Sequence, residues 1–199
     1  MKFLKKINRG LIVTVLILIV LIVYLVVQSI SHDSAEPVIK DICEKYISTV
    51  TSYKILPEEY MSDNSEMQQA DLEKYIQNMT SDIKSFYADN EQNYSYLIKS
   101  CKESLENQAK GKEVIYNYKK DIVSFEKIIF DRNTVTVTIR TNTTYDGTDD
   151  AVGSIRESIS GQTTDTITLQ KINGEWKIIY ADLQQPDNVN PNEYMYSTY

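Results

Sequence analysis

Few residues in this sequence are equipped for acid–base, nucleophilic or metal chemistry. The one histidine, His32, sits just past a long apolar stretch. The region that follows therefore has no histidine to act as acid, base or metal ligand. The two cysteines, Cys43 and Cys101, lack the partners that would complete a zinc tetrahedron. Both fall on apolar helical stripes, where a free thiol behaves as a small hydrophobe. A helix-to-helix disulfide is the second reading if the compartment is oxidising. Asp146, Asp149 and Asp150 cluster, but their spacing does not match an EF-hand loop. They read as a solvated turn, with a weak cation site as the alternative. Tyr116 and Tyr118 alternate on a candidate first strand, and Trp176 and Tyr180 alternate on a candidate last one. These four are the candidate cavity lining, against the plainer reading that they fill a core. No catalytic residue, cofactor or metal site is expected. For an enzyme, only carboxylate chemistry remains.

The segment that positions everything else is Leu11 to Val27, which carries no charge, Gly or Pro. Extended through Ile30 it approaches the roughly 20 residues a helix needs to cross a bilayer. It is longer than a signal-peptide core, and no small-residue cleavage site follows in a suitable place. The expectation is an uncleaved single span over 11–30, in contact with lipid. Lys2, Lys5, Lys6 and Arg9 precede it without an acidic residue, which keeps that end cytoplasmic and places the rest of the chain outside the cell membrane. Tyr24, near the outer end, suits an interfacial aromatic.

Charge narrows the partners. The chain carries 21 basic and 28 acidic residues, a net of −7. With the four basic residues of the stub set aside, 17 basic face 28 acidic residues, a net of −11. A region that acidic is repelled by phosphate backbones, so nucleic acid is excluded as a partner. The abundance of Ile, Lys, Asn and Tyr with little Ala, Gly or Pro is the bias of AT-rich coding, as in low-GC Gram-positive bacteria.

The organisation read from the sequence is a basic stub over 1–10, the span over 11–30, a linker over 31–35, an α+β domain over 36–183 and a flexible tail over 184–199. Pro37 suits the first turn of a helix. Val38, Ile39, Ile42, Cys43, Tyr46, Ile47 and Val50 mark its apolar face, with an end near Tyr53. Asp63 and Glu66 resemble a capping box ahead of a second helix with Leu72, Ile76, Met79, Ile83 and Phe86. Asp89 and Gln92 repeat that pattern before a third, with Tyr94, Leu97, Ile98, Cys101 and Leu105, stopped by Gly111.

From about Val114 the period changes. With Arg132-Asn133 as a two-residue turn, Phe130 faces Val135 and Ile128 faces Val137. Asn173-Gly174 is the preferred two-residue turn. It pairs Leu169 with Ile178, Ile167 with Tyr180 and Lys171 with Trp176. Between the hairpins, 145–150 reads as a loop. Ile155 to Ile159 reads either as a helical turn or as a bent strand with a bulge at Gly161.

Helices first and antiparallel strands after imply an α+β domain with three helices packed on a curved sheet. That order, with the closing Lys171-Ile172-Asn173-Gly174-Glu175-Trp176-Lys177-Ile178, resembles the nuclear transport factor 2-like superfamily over roughly 36–183. A single span ahead of such a domain resembles the bitopic assembly components of type IV secretion and conjugation machines. The resemblance implies a non-enzymatic role, binding other protein subunits in a membrane assembly, with oligomers allowed. The alternative is a small-ligand-binding or sensing domain with an open cavity beside Trp176.

Overall fold

The computed structural model describes residues 9–57, 69–89, 94–110, 113–149 and 154–186. Helices α1 (Arg9–Ser52), α2 (Gln69–Ser85) and α3 (Ser95–Ala109) precede strands β1 (Glu113–Asp131), β2 (Thr134–Asp149), β3 (Ser154–Ile172) and β4 (Glu175–Asp182). The chain divides into two compact units, Met1–Ile39 and Lys40–Tyr199.

In the first unit the backbone is helical from Arg9. The side chains of Val13, Val15 to Val23 and Val26 are exposed. Among the described residues, no helix is long and apolar enough to cross a membrane. The span expected over 11–30 thus has a helical backbone but is not shown as a span. The linker expected over 31–35 is itself helical, and Pro37 lies inside α1 rather than in its first turn. Proline has no N–H to bond the carbonyl four residues back, here that of Asp33, and this costs roughly 3 kcal/mol in a helix interior. A proline that suits a first turn can also sit in an interior where the flanking residues hold the helix, and composition alone does not separate the two.

In the second unit, Cys43, Tyr46, Ile47 and Val50 of α1 are buried at three-to-four spacing. Leu72, Met79 and Ile83 of α2 and Cys101 and Leu105 of α3 are buried as well. Both cysteines are free thiols. The strands form a four-stranded antiparallel meander in the order β1-β2-β3-β4. Val135, Val137 and Ile139 of β2, Ile167 and Leu169 of β3 and Ile178 of β4 are fully buried, as strict alternation on one sheet face requires. The architecture is α+β. The open edge of β4 is closed by the segment after α2: Ile178 N–H donates to the Phe86 carbonyl (2.8 Å) and Ala88 N–H to the Ile178 carbonyl (3.2 Å).

The first hairpin has the expected register, Phe130 opposite Val135 and Ile128 opposite Val137, around Arg132 at φ 55°. The second turns on Asn173 (φ 52°) and Gly174 (φ 93°), the paired positive φ of the favoured hairpin turn. Lys171 faces Trp176 and Leu169 faces Ile178, but Thr168 then faces Tyr180 and Ile167 faces Ala181. The expected Ile167–Tyr180 pair is therefore corrected. Ile179 is an extra residue, and a one-residue bulge moves every later side chain to the opposite face.

Other boundaries differ from expectation. The stretch read as a loop is strand, since β2 continues to Asp149. The segment around Ile155 to Ile159 belongs to β3. Gly161 pairs with Thr143 without a bulge, and the irregularity lies between Tyr145 and Gly147. Helix α3 is capped at Tyr94 with no side-chain cap bond. Asp63, Glu66, Gln92 and Gly111 fall outside the described residues. The tail expected from Gln184 is seated on the sheet as far as Pro186, and 187–199 falls outside the described residues. Three register shifts break β1 against β2, between Tyr116 and Lys119, Ile122 and Ser124, and Phe125 and Lys127. Each inserts one residue into β1, which bends and twists that strand. Asn117, in the first, adopts φ 52°, a conformation asparagine tolerates better than most residues.

Candidate functional site

The alternation that buries Leu169 and Ile167 also carries Asp165 inward. On the neighbouring strand Thr141 and Thr143 follow Ile139 onto the same face. All three polar residues are fully buried. Across the sheet, Ile139 faces Asp165, Thr141 faces Thr163, and Thr143 faces Gly161 on one side and Lys120 on the other. The inner face thus changes from an apolar half to a polar half along each strand.

At the centre of the polar half is an ion pair. Lys120 Nζ lies 3.0 Å from Asp165 Oδ1, with side chains 3% and 0% exposed. Thr141 Oγ1 donates to Asp165 Oδ2 (2.9 Å) and lies 3.2 Å from Thr163 Oγ1. The chain after β4 completes the shell. Gln184 N–H donates to Asp165 Oδ1 (2.7 Å), and the Gln184 carbonyl accepts from Lys120 Nζ (2.6 Å) and Thr163 Oγ1 (3.3 Å). A buried charge is tolerable only when paired and hydrogen-bonded, and here both partners are. Burial pushes the Lys120 ammonium below the ordinary lysine value; the Asp165 carboxylate opposes that shift and Lys54 adds to it.

Around the pair lie aromatic hydroxyls. Tyr118 stacks on Tyr145 with centroids 5.8 Å apart. Burial raises the Tyr118 hydroxyl above the tyrosine range, and Asp165, Tyr145 and Cys101 add to this. The Tyr46 and Tyr87 hydroxyls share a buried hydrogen bond of 2.6 Å. Between α1, α3, β1 and the segment after β4 is a cavity of about 30 Å³, lined by Val50, Lys54, Leu97, Tyr118, Lys120 and Leu183 among others. That is room for one or two waters and far below the roughly 300–1,000 Å³ of a small-molecule site.

Of the four residues expected to line a cavity, Tyr118 is the one that borders this small cavity among the described side chains. Tyr116 faces Asp146 in the sheet register, and its side chain falls outside the described residues. Trp176 is half-buried, with the Lys171 ammonium 5.8 Å from its ring centroid. Tyr180 is 53% exposed, because the Ile179 bulge turns it to the outer face. Asp146 accepts a hydrogen bond from Asn117 Nδ2 (3.0 Å), while the Asp149 side chain and Asp150 fall outside the described residues. Among the described residues, no group of three or more His, Cys, Asp or Glu could hold a metal ion. Sequence reasoning missed Lys120, Thr141, Asp165 and Gln184. The available signal was Asp165 itself, a carboxylate in phase with Ile167 and Leu169.

No protein-family model and no curated protein sequence matches the chain. Among solved structures, the chain is similar to the intermembrane-space region of the chloroplast protein ARC6 (11% identity, TM-score 0.40, covering 72% of this chain and 95% of that one). It is also similar to an NTF-2-like protein of unknown function from Shewanella oneidensis MR-1 (13% identity, TM-score 0.34, covering 71% and 95%). At these scores neither likeness carries an argument about function.

Proposed function

We propose that this chain is a membrane-anchored protein-interaction domain of the nuclear transport factor 2-like type, facing outward, that serves in a membrane assembly such as a secretion or conjugation machine. The carrying observation is the run of exposed apolar side chains from Val15 to Val23 on a helix preceded by a basic stub. Exposed apolar surface on this scale marks a membrane or protein contact. On the inner face of the second unit Val135, Val137, Ile139, Ile167, Leu169 and Ile178 are fully buried, and the cavity beside Tyr118 and Lys120 holds about 30 Å³, which supports interaction over ligand binding at that place.

The test is membrane fractionation of the full-length chain, followed by crosslinking in the membrane. The expected result is that the chain stays with the membrane through an alkaline carbonate wash, that deleting 1–30 releases it, and that one or two defined proteins crosslink to it. A full-length chain found in the wash, or one crosslinked to nothing above background, overturns the proposal.

A further inference from the structure

Gln184 is held through its main chain alone. Its N–H donates to Asp165 Oδ1 at 2.7 Å and its carbonyl accepts from Lys120 Nζ at 2.6 Å, while the residue is exposed. Buried charged side chains therefore recognise the main-chain N–H and C=O of one residue, in the two peptide groups that flank it, and leave its side chain free. The neighbouring contact depends on a glycine. A Cβ added at Gly161 would lie 2.7 Å from Pro186 Cβ, so the absence of a side chain at 161 is what seats the segment.

Withdrawal of this segment would leave a defined chemical demand. Asp165 would lose a donor, and Lys120 and Thr163 would lose an acceptor. A simple anion supplies only the acceptor, and an amine supplies only the donor. The N–H and C=O of one residue in an extended chain supply both, at the spacing already present. Two further observations show slack beside the segment. The cavity of about 30 Å³ reaches Leu183 and Gln185. Thr143 Oγ1 is buried with no partner among the described residues, in register with Lys120 and Gly161.

We infer that residues 183–186 form an autoinhibitory strap. The strap fills in cis a main-chain recognition site built by Lys120, Thr163 and Asp165, and an extended peptide segment of a partner protein takes that site when the strap withdraws. This deepens the interaction-domain reading and rests on it for the existence of a partner, but strap exchange is a property of the chain by itself and is measured without one.

The experiment is amide hydrogen exchange on the full-length chain in detergent, with and without a blocked synthetic peptide of the sequence Asp-Leu-Gln-Gln-Pro at millimolar concentration. The Gln184 amide is expected to exchange at least about tenfold faster than the Ile167 and Leu169 amides, because strap opening requires only local release. The peptide, by trapping the open state, accelerates Gln184 further and leaves the sheet amides unchanged. Gly161→Ala, which fits the strand backbone but crowds Pro186, gives the same acceleration without peptide. Gln184 exchange at the rate of the sheet core, or an exchange rate indifferent to the peptide, overturns the inference. Either result leaves the interaction reading standing if crosslinking finds a partner.

Discussion

Asp165 and Lys120 are worth most when both are present. Replacing Asp165 with alanine leaves a buried ammonium hydrogen-bonded to the neutral Gln184 carbonyl, with the charge of Asp182 acting on it without a direct ion pair, at a cost of about 3–5 kcal/mol. Urea unfolding of Asp165→Ala is expected to show a loss of that size. The double replacement Lys120→Met with Asp165→Leu removes both charges and is expected to recover most of it. A double variant no more stable than the single one would mean that the pair holds the sheet together through its hydrogen bonds rather than through its charge balance.

At the scale of elements, the turns were legible in the sequence and the bulges were not. Asn173-Gly174 fixes a hairpin because few other residue pairs accept two consecutive positive φ values. Gly174→Ala is expected to cost about 1–2 kcal/mol, the penalty for a Cβ in the left-handed region, seen as a lower thermal midpoint with the sheet retained. An unchanged midpoint would mean that the turn relaxes at no cost. A bulge, by contrast, adds one residue without changing composition, and so Ile179 sends Tyr180 outward against its apparent phase. On β1, two bulges lie between the turn at Arg132-Asn133 and Lys120. They bring Phe125 inward off its phase, then return Lys120 to the phase set by Phe130. The candidate site was therefore half-readable. Asp165 stands in plain alternation with Ile167 and Leu169, whereas its partner could be placed only by knowing that β1 is one long strand. Gln184 left no periodic signal, because it is recognised through its backbone.

For the whole molecule, the buried tyrosines set how it responds to alkali. Burial raises the hydroxyls of Tyr46, Tyr87 and Tyr118 above the ordinary value of 10.0. Above that pH the unfolded chain releases tyrosine protons that the folded chain retains, so stability falls as pH rises past 10.0. Lys120 acts in the opposite sense. Its lowered value makes the folded chain the first to lose that proton, which favours folding as pH approaches 10.5. Tyr53, Tyr75 and both cysteines are raised as well, so against one lysine the net effect is a fall. The urea midpoint is expected to drop between neutral pH and about one unit above the ordinary tyrosine value. The tyrosinate absorbance of these residues should appear only with unfolding. Full ionisation of all the tyrosines in a folded chain would contradict the burial described here.

The seating of Gln184 also constrains when the ion pair can leave water. Lys120, Thr141 and Asp165 lie on three consecutive strands and can assemble as those strands pair, yet part of the cover over them comes from the chain beyond β4. During synthesis or refolding, the two charges can keep their hydration until those last residues arrive, so the most expensive dehydration step is deferred until the surrounding scaffold is already in place. A chain interrupted between Asp182 and Gln184 would then stall with a hydrated polar cleft rather than collapse around an unpaired charge. Quality-control proteases, which recognise unfinished proteins by their accessible backbone, would find its missing seal at that cleft.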